Sequence, residues 1–214
     1  MAKLTQKGDF MKNRAFTLAE VLITLGIIGV VAALTIPSLI NSYKDKQFKT
    51  AYKKAYSDMQ NVFLDAIFEG SLTRNKQFDV KSTEEEFGIM KEKFKIVTDC
   101  GKEISACWGE GELIGEGSSY PKDVESTCFT DASGRSWCTY YNAENIFLVD
   151  TNGLKLPNKF GKDRWYFVPA NENGNRTGIA ANYKKIAPFI NSDINNKDVW
   201  CHYPPCNFKS WLYE

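Results

Sequence analysis

The chain has 214 residues, 43% of them hydrophobic and 25% charged, which is the composition of a globular protein. Its 27 Lys and Arg residues nearly balance 26 Asp and Glu residues, so a net charge of +1 gives no electrostatic basis for nucleic acid as the main partner. The length allows one ordinary domain with an additional segment, or two small domains.

The N-terminus combines a basic start with a long apolar segment. Residues 1–15 carry four basic side chains and one acidic one, whereas residues 16–40 carry a single formal charge, Glu20. A helix needs roughly 20 apolar residues to cross a bilayer, so the apolar segment is long enough to span it. Lys12 and Arg14 precede it, which by the positive-inside rule predicts a cytoplasmic N-terminus and an exported remainder. A cleaved secretory signal is the alternative, but its apolar region would be shorter and would end in a small-x-small site.

The residues around the boundary between the basic start and the apolar segment form a recognisable sequence pattern. In chain order it has a basic flank, a small residue, an apolar start, an early acid and a later proline: Lys12 and Arg14, Ala15, Phe16-Thr17-Leu18, Glu20 and Pro37. This pattern resembles the N-terminus of type IV pilins and type II secretion pseudopilins. The resemblance implies that a prepilin peptidase cleaves between Ala15 and Phe16 on the cytoplasmic face and methylates the new amino group of Phe16.

Two details of the leader differ from the common pattern or stay open. The family usually has glycine before the cleaved bond, where this chain has Ala15. Met11 is an alternative start, which would shorten the leader from residues 1–15 to residues 11–15.

Glu20 is a functional candidate on physical grounds alone. A carboxylate inside an apolar membrane helix costs at least about 2.5 kcal/mol on insertion scales. After cleavage, the nearest cation would be the α-amino group of Phe16, on the same chain or on a neighbour, and a buried pair would fix the register between stacked subunits. The alternative is a Glu20 that only reaches toward the membrane interface. Pro37 is the second residue assigned to assembly, and it should kink the helix because it lacks an N–H donor.

From residue 41 to residue 70 the helical pattern continues and becomes one-sided. Apolar side chains recur at steps of three and four residues, and charged side chains fill the other face. We therefore predict an amphipathic helix that continues into the head and ends at Gly70, a suitable residue just beyond a helix end. The apolar positions are Tyr43, Phe48, Ala51, Tyr52, Ala55, Tyr56, Met59, Val62, Phe63, Ala66 and Ile67.

Residues 71–214 are predicted to form an exported globular head. Ser82 or Thr83, followed by three glutamates, indicates the start of a short helix that runs to about Phe94. Gly-rich loops punctuated by cysteines are predicted for 100–125, and irregular structure from Ala170 onward. Short β-like runs are predicted at 127–130, 136–141, 146–149 and 165–168. The predicted fold class is α+β, with a long N-terminal helix packed on a small antiparallel sheet and disulfide-stabilised loops.

All six cysteines follow the apolar segment. An even number of cysteines, all in the part predicted to be exported, indicates disulfide bonds formed in an oxidising compartment. Six cysteines allow many pairings. Structural zinc is the alternative, but the chain has no C-x2-C pair and a single histidine, His202. The working hypothesis is that nearest neighbours pair: Cys100 with Cys107, Cys128 with Cys138, and Cys201 with Cys206.

Residues 150–163, DTNGLKLPNKFGKD, carry a second and weaker resemblance. They resemble a loop of pseudopilin-like proteins in which Asp-x-Asn-Gly, Pro-Asn and Gly-x-Asp precede an aromatic strand. Asp150, Asn152 and Asp163 supply the oxygen ligands that calcium prefers, and the resemblance implies calcium as the one candidate cofactor. The alternative is a turn in which these side chains bond to backbone N–H groups.

The function implied by the N-terminal resemblance is that of a structural subunit, not an enzyme. The sequence contains no P-loop, no G-x-S-x-G and no H-E-x-x-H pattern. The implied partners are prepilin peptidase, other pilin or pseudopilin subunits, an inner-membrane assembly platform and membrane lipid. The implied location is the inner membrane, with the head outside the cytoplasm, and later a pilus or pseudopilus. The alternative function is an uncleaved, single-pass anchored binding protein with a disulfide-rich external domain.

Overall fold

A computed structural model describes residues 17–72, 80–111, 126–140, 146–174, 182–188 and 210–213. Contacts divide the chain into two units, Met1–Lys44 and Asp45–Glu214, and each unit is described by itself. The helices are α1 (Leu18–Phe68), α2 (Val80–Glu92), a 3-10 turn (Ile104–Ala106) and α3 (Ser210–Tyr213). The strands are β1 (Ile96–Gly101), β2 (Cys128–Asp131), β3 (Ser136–Tyr140), β4 (Ile146–Asp150), β5 (Arg164–Ala170) and β6 (Lys185–Pro188).

The first part of α1 exposes its apolar side chains on all sides. Leucine, isoleucine and valine residues between Leu18 and Ile40 are exposed, and Pro37 lies inside the helix. The size of any bend at Pro37 stays a prediction. Among the residues that the structure describes, α1 is the one helix whose length and composition would let it cross a membrane.

The second part of α1 is one-sided, which confirms the amphipathic prediction. Its buried residues recur at steps of three and four: Tyr52, Ala55, Met59, Phe63 and Ala66. The helix ends at Phe68, and Gly70 lies just beyond its end, as predicted. Gly70 has a φ of 69°, its N–H donates to Ile67 O at 3.0 Å, and the N–H of Ser71 donates to Ala66 O at 3.0 Å. This pair of bonds is a Schellman motif, in which glycine adopts the left-handed conformation without a steric cost.

The six strands form one antiparallel sheet in chain order, β1 to β6, and the fold class is α+β as predicted. The four predicted strands are confirmed as β2 to β5, with ends that differ by one or two residues. The short predicted helix is α2, which begins at Val80, so Ser82 and Thr83 lie inside the helix and the predicted start was two or three residues too late; α2 ends at Glu92, two residues before the predicted end. A turn at Ser133-Gly134 joins β2 to β3, and these two strands are hydrogen-bonded to each other in the sheet.

Two strands and one helix were missed, and the prediction of irregular structure after Ala170 was wrong at two places. β1 is an edge strand with an irregular register and exposed middle residues, so it lacks the alternating pattern of a half-buried strand. β6 is a four-residue edge strand that contains Pro188, a residue that argues against a strand unless it lies at an edge. α3 is one turn long and places Trp211 against Trp165, with ring centroids 5.6 Å apart.

Helices and loops cover opposite faces of the sheet. Residues directly opposite each other across antiparallel strands share a face. On the helix side, Tyr52 of α1 stacks on Trp165 with centroids 3.7 Å apart, and Phe87 of α2 packs against Phe129 at 5.6 Å. On the other side, Phe160 stacks on Tyr166 at 4.3 Å. β4 and β5 are therefore buried on both faces, whereas antiparallel sheets commonly leave one face to water.

Candidate functional site

The start of α1 is closed by a reciprocal pair of bonds between Thr17 and Glu20. The amide N–H of Thr17 donates to the Glu20 carboxylate at 2.8 Å, and the Thr17 hydroxyl donates to the same oxygen at 2.8 Å. In return, the amide N–H of Glu20 donates to the Thr17 hydroxyl at 3.2 Å. This is a capping box, which satisfies amide donors that have no partner inside the helix. The role of Thr17 was missed, although Thr-x-x-Glu before an apolar run is a readable signal for it.

The other motif residues are placed less completely. The predicted cleavage and methylation positions, Ala15 and Phe16, lie outside the described residues. Glu20 is exposed at the first turn of α1, and Pro37 lies farther along the same helix. The structure therefore brings Glu20 together with Thr17 but does not test the pairing of Glu20 with the amino group of Phe16.

The distribution of charge around the apolar segment is less one-sided than Lys12 and Arg14 alone suggest. Five lysines follow the segment within a short distance: Lys44, Lys46, Lys49, Lys53 and Lys54. The positive-inside rule counts basic residues on both sides of a span, so charge alone gives little preference here. The orientation of the chain consequently depends on the motif itself.

In the second unit, Asp150 and Arg164 form a fully buried ion pair. They are register partners in β4 and β5, and Arg164 Nε donates to Asp150 Oδ2 at 2.9 Å. The guanidinium also donates to Gly109 O and lies 4.5 Å from the ring centroid of Trp108. Burial raises the pKa of Asp150 to about 7; the bonds from Arg164 act against this rise, and the nearby charge of Asp163 adds to it.

Asp163 organises the backbone of the loop between β4 and β5. Its two oxygens accept the N–H of Asn158 at 2.8 Å and the N–H of Lys159 at 2.7 Å. Burial raises the pKa of the Asp163 carboxyl, while these backbone bonds lower it. Asn152 donates through its own N–H to Asp150 at 3.2 Å and through Nδ2 to Leu156 O at 3.3 Å.

These contacts fit the turn interpretation of Asp150, Asn152 and Asp163 better than a calcium site. One carboxylate is engaged by a guanidinium and the other by two backbone N–H groups, so a cation would have to displace existing donors. The described residues contain no cluster of three or more His, Cys, Asp or Glu side chains that could hold a metal ion. Calcium binding by Asp150, Asn152 and Asp163 stays a prediction.

Two of the three predicted disulfides are present. Cys100 pairs with Cys107, and Cys128 pairs with Cys138, its direct partner across β2 and β3. The third predicted pair, Cys201 with Cys206, lies outside the described residues, as does His202. The first bond closes the loop that ends directly before Trp108, and the second joins neighbouring strands of the sheet.

A second buried arginine connects α1 to the sheet, and no sequence pattern predicts this role. Arg135 contacts Asp131 at 2.7 Å and Asp58 of α1 at 2.7 Å. Trp137 Nε1 donates to the same Asp131 oxygen at 2.8 Å. An arginine in a turn is most often solvated, so only the packing of α1 on the hairpin reveals this role.

Comparison with known protein families gives a match at the N-terminus. The family described as "Prokaryotic N-terminal methylation motif" matches residues 10–36. No curated protein and no solved structure shows significant similarity to the chain. The matched residues contain the basic flank, the capping box and most of the apolar segment. The chain thus carries the N-terminal methylation motif that is the signal of type IV pilin and pseudopilin precursors.

Proposed function

We propose that the chain is a structural subunit, not an enzyme, of a type IV pilus or type II secretion pseudopilus. It is made as a precursor, cleaved by prepilin peptidase between Ala15 and Phe16, methylated at Phe16, and assembled through α1. The observation that carries the proposal is the matched motif at residues 10–36, which leads directly into a helix whose apolar side chains are exposed. An exposed apolar surface of this size needs lipid or neighbouring helices to cover it.

The capping box suggests how Glu20 is prepared for assembly. Its carboxylate is held beside the amide of Thr17, the residue that follows Phe16. Cleavage would turn the amide nitrogen of Phe16 into an ammonium group. That group would belong to the residue directly before Thr17, whose amide already donates to the Glu20 carboxylate. A neighbouring subunit could offer its own ammonium group to the same oxygens, and removing one partner of such a buried pair costs about 3–5 kcal/mol.

Two substitutions separate the charge of Glu20 from its capping role. Glutamine also serves at this position of a capping box, so Glu20→Gln keeps an acceptor for the Thr17 N–H and removes only the charge. Thr17→Val removes the capping hydroxyl and keeps the charge. We expect Glu20→Gln and Glu20→Ala to insert into the membrane but to yield few filaments, whereas Thr17→Val assembles. Normal filament yield from Glu20→Gln would contradict the register pair.

Mass spectrometry of the native N-terminus tests the class of function. A chain that begins with methylated Phe16 supports a processed subunit. A chain that retains Arg14 and Ala15 supports the alternative, an uncleaved anchored binding protein. Inner-membrane location with an external head is part of the proposal, and protease added to intact spheroplasts should therefore digest residues 45–214; protection of these residues would contradict the external location.

A further inference from the structure

The loop between β4 and β5 presents two leucines to solvent. Leu154 is 56% exposed and Leu156 is 79% exposed, and Lys155 between them is exposed too. Lys159 is also exposed, and we call residues 154–159 the Leu-Lys loop. Within the part of the chain that the structure describes, neither lysine ammonium pairs with an acidic side chain.

The exposure of the leucines is imposed by the hydrogen bonds of the loop. Asn152 Nδ2 holds Leu156 O, and Asn158 Nδ2 donates to Glu110 O at 2.6 Å. The Asp163 carboxylate fixes the backbone at Asn158 and Lys159. Because these bonds determine the path of the loop, turning the two leucines into the core would break hydrogen bonds of the loop backbone.

Lys162, three residues after the Leu-Lys loop, forms an ion pair with α1 at a residue shortly after the apolar segment. Lys162 Nζ contacts Asp45 Oδ1 at 2.6 Å. Asp45 follows Ile40, the last residue of the apolar segment, by five residues, a chain distance of at most about 18 Å. With the apolar segment in a bilayer, this short chain distance keeps Asp45, and the Lys162 that contacts it, within reach of the membrane surface.

We propose that the Leu-Lys loop docks on the anionic phospholipid surface of the membrane that holds the subunit before assembly. The inference rests on the proposed function only in placing the apolar segment in the bilayer. Exposed leucines fit the boundary between headgroups and acyl chains, and lysine stems reach from there to the phosphates. The competing occupant is a second copy of the chain, and the experiment below distinguishes it from lipid.

Photo-crosslinking in reconstituted liposomes tests the proposal with the full chain. A diazirine side chain is placed at position 156, and the matched control carries it at Val97, an exposed residue of edge strand β1. Liposomes contain phosphatidylcholine with or without phosphatidylglycerol, and flotation shows that each variant is anchored. We expect lipid adducts at position 156, severalfold above position 97, and more of them with phosphatidylglycerol.

Charge reversal gives a second readout. Each lysine near an anionic surface strengthens partition about fivefold, so Lys155→Glu with Lys159→Glu should remove most of the phosphatidylglycerol-dependent adducts. Adducts only between two protein chains, or lipid adducts no more frequent than at position 97, would overturn the proposal. Either result with normal flotation and a methylated Phe16 would leave the proposed function intact, whereas loss of flotation would count against the anchored subunit itself.

Discussion

Asp150 at the end of β4 and Arg164 at the start of β5 lie directly opposite each other, and neither side chain is exposed to water. Asp150→Ala leaves the buried guanidinium N–H without its acceptor, so we expect a loss of about 1–3 kcal/mol in the free energy of unfolding at pH 5. The control is Asp45→Asn, which breaks a partly exposed pair with Lys162 and should cost less than about 1 kcal/mol. Chemical denaturation of the detergent-solubilised chain measures both, and equal losses would contradict the expectation.

The pH dependence of that loss follows from the pKa of Asp150, which burial raises to about 7. The unfolded value is near 3.9, so the folded chain binds the extra proton between about pH 4 and pH 7. The contribution of Asp150 to stability is then fully present at low pH and is lost as the pH rises through that window. We expect the stability difference between wild type and Asp150→Ala to shrink between about pH 5 and pH 7.5, because the wild type alone loses stability when Asp150 ionises. A difference that grows with pH would mean that Arg164 outweighs burial.

Gly111 should not tolerate a side chain. A Cβ atom there would lie 2.4 Å from Asn158 Cβ and 2.7 Å from Asn158 O. We expect Gly111→Ala to lower the free energy of unfolding by about 1–3 kcal/mol, because the loop must move away from its neighbour. Gly88→Ala in α2 is the matched control, since its Cβ would meet nothing within 4 Å, and it should stabilise the helix by up to about 1 kcal/mol. Melting temperatures that shift in the same direction for both variants would contradict the expectation.

Disulfide mapping of the non-reduced chain tests all six cysteines together. We expect peptides that join Cys100 to Cys107 and Cys128 to Cys138, as in the structure. With those four engaged, Cys201 and Cys206 can form an intramolecular bond only with each other. Replacing Cys128 and Cys138 together by serine should cost about 2–4 kcal/mol of stability. A peptide that joins Cys201 to any of the other four would refute the nearest-neighbour hypothesis.

Calcium titration decides between the two interpretations of Asp150, Asn152 and Asp163. Because Arg164 and backbone N–H groups already occupy the two carboxylates, we expect millimolar calcium to leave the melting temperature unchanged. A rise that disappears in Asp163→Ala would instead establish the calcium site. Magnesium at the same concentration controls for ionic strength.

The elements that could be predicted are those in which one periodic pattern extends over many residues. The helical repeat of Tyr52, Ala55 and Met59 and the glycine stop at Gly70 are local signals, and both are confirmed. β1 and β6 could not be predicted because short edge strands carry little alternation. β6 is also held by α1: Tyr56 donates to Ile186 O, and Gln60 accepts from Ile186 N–H, each at 2.9 Å. Contacts at such separation leave no local pattern.

The amino-acid sequence by itself determined the N-terminal motif, the apolar segment and the amphipathic continuation of the helix, whereas the pairing of Cys100 with Cys107 and of Cys128 with Cys138 was a hypothesis that the structure decided. Each depends on spacing and composition within a short stretch of chain. Only the tertiary structure decided the roles of Arg135 and Arg164, and the exposure of Leu154 and Leu156. Burial and ion pairing depend on which distant segments meet, because a charged or apolar side chain has the same covalent structure in water as in a core.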